Sequence, residues 1–139
     1  MRRTLIIIFA LIVWAVSIGA ERGEKIPYDN SIDFESNGFT KMYATAYYQG
    51  EITATGVPVH SGICACNTHL GEVAIVYTLD GQYLGTYMCC DTGSSNGLIN
   101  GDVIDIWKKN LTQCESFMRV VSNNGGNGRV WVKWVKGVG

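Results

Sequence analysis

An all-β fold, barrel or sandwich, is predicted by three observations. Short runs of β-branched and aromatic residues recur along the chain, glycine- and asparagine-rich turns separate them, and a single short stretch carries helix signals. The 139 residues amount to one domain, with no internal repeat and no second core.

The first strand is Met42 to Tyr48, where Tyr43, Thr45 and Tyr47 share a face because strand side chains alternate. Hydroxyl and aromatic groups on one face suit either a half-buried strand with internal partners or a surface that stacks against sugar rings. A loop from Gln49 to Gly62 follows, then the short apolar strand Ile63–Cys66 and the turn at Asn67–Gly71. Glu72–Leu79 and Gln82–Cys90 flank Asp80-Gly81, and Asp-Gly between two β-rich runs signals a hairpin in which Asp80 is a turn residue. Val103–Trp107 forms the next strand. Thr112 with Glu115 three residues on makes a capping box, so one short helix is expected to start there and bury Cys114, Phe117 and Met118. After the turn Asn123–Gly128, the alternating run Arg129–Val135 places Val130, Val132 and Trp134 on one face.

The N-terminus reads differently. Arg2 and Arg3 precede the unbroken apolar run Leu5–Val16, and small residues Ser17, Gly19 and Ala20 lead into Glu21–Lys25. Residues 1–20 are therefore expected to be a signal peptide cleaved near Ala20, or else a short membrane anchor. Residues 21–41, polar and without period, are expected to be a flexible linker, and 42–136 the folded domain. A secreted, extracytoplasmic location follows, with membrane contact only through an uncleaved N-terminus. Without Arg2 and Arg3 the formal charge drops by two, from −1 to −3, which gives no footing for nucleic acid.

Five cysteines cannot all pair within one chain. One bridge between Cys64/Cys66 and Cys89/Cys90, with the other thiols buried, is expected in an exported protein. C-x-C with C-C is not a zinc-ligand spacing, so no metal and no cofactor are expected. A nucleophilic cysteine needs a neighbouring base, and only His60 and His69 are available.

The stretch Cys89–Trp107 carries the candidate chemistry. Asp91 ends one strand, Asp105 lies in the next, and the fourteen-position interval between them is filled by turn formers such as Gly93, Gly97, Asn100 and Gly101. Asp102, beside a glycine, reads as a turn residue.

Taken in order, Ala44-Thr45-Ala46-Tyr47, Thr53-x-Thr55-Gly56, Asn67 to Leu70-Gly71, Asp91-Thr92-Gly93 and Asn100-Gly101 to Ile104-Asp105-Ile106-Trp107 resemble the three-aspartate domain of bacterial cell-wall proteins. The resemblance spans nearly all of Tyr43–Val135. It implies a six-stranded double-psi β-barrel related to membrane-bound lytic transglycosylase A and, more distantly, to expansins and barwin-like endoglucanases. It further implies a monomer that acts on peptidoglycan or a related wall polysaccharide, with Asp105 as the acid protonating the glycosidic oxygen and Asp91 as the second family aspartate. Thr45, Tyr47, Asn67 and Gly93 take glycan-contacting positions by the same comparison.

The chain departs from the family at Asn67, where the first family aspartate is missing. An inverting hydrolase needs an acid and a base with room for water between them. A lytic transglycosylase needs one residue that protonates the leaving oxygen and then takes a proton from the sugar's own 6-hydroxyl. The departure therefore favours the transglycosylase reading over hydrolysis, and leaves a non-catalytic, expansin-like glycan-binding module as the alternative. The Asn67 amide is expected to hydrogen-bond substrate or Asp91. Raising the pKa of Asp105 falls to its apolar neighbours Ile104, Ile106 and Trp107 and to the charge of Asp91.

Overall fold

A computed structural model of the chain describes residues 33–123 and 125–137. The expected targeting segment, and residues 21–32 of the expected linker, lie outside the described residues. Six strands form: β1 (Thr40–Tyr47), β2 (Ile63–Ala65), β3 (Glu72–Thr78), β4 (Tyr83–Asp91), β5 (Val103–Trp107) and β6 (Arg129–Lys136). They make one sheet in the order β1-β5-β2-β4-β3-β6 that closes on itself through β6 and β1. The pairs β1–β5 and β2–β4 are parallel and the other four antiparallel. Closure leaves no unpaired edge among these strands.

The all-β class holds, with strands close to the predicted runs. Alternation sends Met42 and Ala44, Ala74 and Val76, Ile104 and Ile106, and Val130 and Val132 into one buried cluster. Each fully buried valine or isoleucine there contributes about 1.5–3 kcal/mol by leaving water. The Asp80-Gly81 hairpin forms as predicted between β3 and β4: Thr78 pairs with Gln82 through the backbone, and its hydroxyl donates to the Asp80 carboxylate. Trp134 keeps the inward face of Val130 and Val132, opposite the buried Ala74, and packs partly buried against the core with its ring stacked at 4.2 Å on His69.

Three expectations are corrected. First, there are two helices rather than one: α1 (Asn96–Asn100) sits inside the loop between Asp91 and Asp105. Ser95 caps its start by accepting from the Leu98 N–H, and Gly101, at φ 82°, ends it in the left-handed conformation. Second, α2 (Leu111–Ser122) begins earlier than the capping box implied. Asn110, in extended conformation, caps it with a 2.9 Å bond from the Gln113 N–H, and Cys114, Phe117 and Val121 form the buried stripe. Met118 is only partly buried against the core. Third, residues 33–41 are not a free linker. Phe34 is buried, stacked on Trp131 at 5.3 Å and edge-on to Phe39 and Tyr77, while Thr40 and Lys41 already pair with β6. An aromatic ring whose removal from water stabilises docking outweighs the polar character of its neighbours.

The expected disulfide is absent. All five cysteines are buried thiols. Cys64 and Cys89 are register partners inside the barrel, and a hydrogen bond between their thiols, together with burial, holds the Cys64 thiol well above its ordinary range. The Cys89 Sγ also donates to the Cys66 carbonyl at 3.1 Å.

Candidate active site

Register alone assembles the candidate residues. Thr45 on β1 is opposite Asp105 on β5, Asp105 is opposite Ala65 on β2, and Ala65 is opposite Asp91 on β4. Four consecutive strands thus present one row, and paired residues point to the same face. On β1 and β5 that face is set by the buried neighbours Ala44 and Ile104, which point inward and send Thr45 and Asp105 outward; Ala65, itself buried, shares their face as the register partner of Asp105.

Asp91 joins the row through an irregularity. Cys89 pairs with Cys64, yet the next partner of β2 is Asp91 and not Cys90, so Cys90 is an extra residue in β4. In a regular strand Asp91 would share the inward face of Cys89. The bulge turns it to the face of Ala65 and Asp105. Cys90 is buried instead at the turn of the preceding loop, where the Thr55 hydroxyl donates to its carbonyl at 2.9 Å.

The two carboxylates differ in their surroundings. Asp105 accepts one hydrogen bond, from the Thr45 hydroxyl at 2.8 Å. Burial pushes its pKa above the ordinary carboxylate range, the Thr45 bond works against that rise, and the charge of Asp91 adds to it. Asp91 accepts three: from the Tyr47 hydroxyl at 2.8 Å, from the Ala54 N–H at 2.9 Å and from its neighbour Thr92 N–H at 3.0 Å. Burial, the bond to Asp91 and the negative charge of both aspartates hold the Tyr47 phenol far above its usual range, so it remains a proton donor. One carboxyl is therefore held firmly by donors, while the other is desolvated with a single donor.

Asn67 stands apart from both. Its Nδ2 donates to the Gly93 carbonyl at 2.8 Å and its Oδ1 accepts from the Gly93 N–H at 3.0 Å. The expected hydrogen bond to Asp91 is not made. The amide instead clamps the backbone two residues beyond Asp91, where the loop leaves β4. A Cβ at Gly93 would press on the tip of the Leu98 side chain of α1. Asp102, exposed at the loop's end, offers its carbonyl to the Tyr43 N–H at 2.9 Å, in keeping with a turn role.

The structure thus brings Asp91, Asp105, Thr45 and Tyr47 together, and pairs Asn67 with Gly93 at the loop's entrance. Sequence reasoning missed the backbone donor of Ala54. The Thr53-x-Thr55-Gly56 pattern marked that turn, but nothing local showed that it folds over Asp91. Among the described residues no group of three His, Cys, Asp or Glu side chains could hold a metal ion. No protein-family model matches the chain, and no significant match was found among curated proteins or solved structures.

Proposed function

We propose that this protein is an exported enzyme that cleaves wall glycan, acting as a lytic transglycosylase on the β-1,4 bond between N-acetylmuramic acid and N-acetylglucosamine. The observation that carries this reading is the pair Asp105 and Asp91 on one face, the first with its pKa raised by burial and by the second. A carboxyl that keeps its proton can protonate a glycosidic oxygen. Asp105 then becomes the base that accepts the proton of the sugar's 6-hydroxyl, whose oxygen closes on the anomeric carbon to give a 1,6-anhydro product. Asp91, held by three donors, stays in place as a fixed negative charge that favours the developing oxocarbenium ion.

A hydrolytic route requires a second carboxylate free to activate water. Asp91 is engaged on both oxygens and Asn67 is engaged with Gly93, which supports the single-residue route. The parallel pairs β1–β5 and β2–β4 within a closed six-strand sheet support a double-psi β-barrel of the three-aspartate kind as the finer fold. Export and action as a monomer at the cell wall belong to the same proposal.

Incubation of the purified protein with sacculi, followed by mass spectrometry, tests it. Anhydro-muropeptides are expected from the wild type and none from Asp105→Asn, which still pellets with the sacculi. Pelleting of the wild type without anhydro ends or reducing ends would leave the expansin-like binding module as the correct reading.

A further inference from the structure

Next to the aspartate row, the outer face of β1 carries Tyr43, two residues or about 7 Å from Thr45. Tyr43 is 55% exposed although it lies in the middle of a strand. Its register partner on β6 is Arg129, which alternates with the fully buried Val130 and so points to the same outer face. Among the described residues, neither the Tyr43 hydroxyl nor the Arg129 guanidinium makes a side-chain hydrogen bond or ion pair. Their backbones are fixed on both sides: Tyr43 N–H donates to Asp102 and Ala44 N–H to Gly128, so the pair sits on rigid structure.

We propose that Tyr43 and Arg129 form a sugar subsite beside the Thr45–Asp105 pair that accepts a saccharide unit carrying an unblocked carboxylate. The ring offers a flat apolar surface for the axial C–H face of a pyranose, and the neighbouring guanidinium offers paired donors to a carboxylate. In wall glycan the lactyl carboxylate of N-acetylmuramic acid is free only where the stem peptide has been removed. The subsite therefore favours peptide-free strands. This inference rests on the glycan-cleaving reading.

The test measures binding to the Asp105→Asn protein, in which no cleavage competes. Its probes are peptide-free N-acetylmuramic acid–N-acetylglucosamine strands, the same strands with their carboxylates converted to methylamides, and a hexuronate oligosaccharide as a second carboxylate source. Native strands are expected to bind roughly ten-fold tighter than amidated ones. Arg129→Gln should remove that difference while Arg129→Lys keeps part of it, and Tyr43→Ala should weaken both forms alike. Tight hexuronate binding shows that the carboxylate alone is read; weak binding shows that the lactyl position is read as well; both agree with the subsite. Native and amidated strands of equal affinity, or a preference that survives Arg129→Gln, would overturn it. The two proposals separate cleanly. An inactive wild type whose Asp105→Asn form still discriminates carboxylates sinks the enzymatic reading alone, and an active wild type without discrimination sinks the subsite alone.

Discussion

Thr45 and Asp105 are opposite one another in the parallel β1–β5 pair, and the Thr45 hydroxyl donates a 2.8 Å hydrogen bond to the Asp105 carboxylate. The bond favours the ionised form of a residue that burial and Asp91 push the other way. Asp105 is thus set by a balance of three named influences, each of which can be removed singly.

Opposite pH shifts follow for two variants. Thr45→Val removes the donor that lowers the Asp105 pKa, so the proton is retained to higher pH and the alkaline limb of the cleavage–pH profile moves up. Asp91→Asn removes the charge that raises it, and the same limb moves down. Anhydro-product release measured across the pH range checks both. Shifts of the same sign would exclude Asp105 as the titrating acid.

Stability should move against activity at Asp105. Its folded pKa lies above the unfolded value, so its favourable contribution is complete below the ordinary carboxylate range and is lost as pH rises through the folded pKa. At neutral pH the folded state carries the cost of a partly desolvated charge. Asp105→Asn is expected to raise the melting temperature by a few degrees at neutral pH, with the gain vanishing on acidification below the ordinary carboxylate range. A variant that melts lower at neutral pH would show that the Thr45 bond dominates.

Restoring an aspartate at position 67 should harm the protein. Asn67 uses both a donor and an acceptor on Gly93. Asn67→Asp keeps the acceptor but sets a carboxylate oxygen against the Gly93 carbonyl, and Asn67→Ala loses both bonds. Each is expected to cost about 1–3 kcal/mol in denaturant unfolding. Product formation should fall as the Asp91 loop loosens, with no gain of hydrolytic reducing ends. An Asn67→Asp variant that releases reducing ends would make position 67 a general base and overturn the single-residue route.

The docked segment before β1 should be worth more than its polar composition implies. Phe34 is 8% exposed and touches Phe39, Tyr77 and Trp131. Phe34→Ala is expected to lose about 3 kcal/mol or more of unfolding free energy. Denaturation followed by tryptophan fluorescence reports the site directly through Trp131. A loss below 1 kcal/mol would mean that the segment contributes little to the fold.

Most strands were legible because alternation is a local property: Met42 and Ala44 inward with Tyr43 and Thr45 outward is visible in four residues. The Asp80-Gly81 hairpin was legible for the same reason, since the turn and its flanks are adjacent. α1 is hidden in the sequence because the glycines around it mask its caps, Ser95 and Gly101, and the Thr112–Glu115 pattern places the start of α2 late because nothing in the sequence shows that Asn110 takes the extended conformation of an N-cap. Phe34 was missed because its partners on β3 and β6 are distant in sequence.

For the candidate site, the chain by itself determined which residue types were present and that Asp91 and Asp105 bracket one loop. It could not determine that they share a face. In a regular strand Asp91 would follow Cys89 inward, and one extra residue, Cys90, in the β2–β4 ladder turns it outward beside Ala65. Nor could it determine that Asn67 clamps Gly93, that the Ala54 amide bonds to Asp91, or that Thr45 is opposite Asp105 sixty positions away. Side-chain period is a property of the chain, but register belongs to pairs of strands, and a one-residue slip reverses every face. Only closure of the sheet decides it.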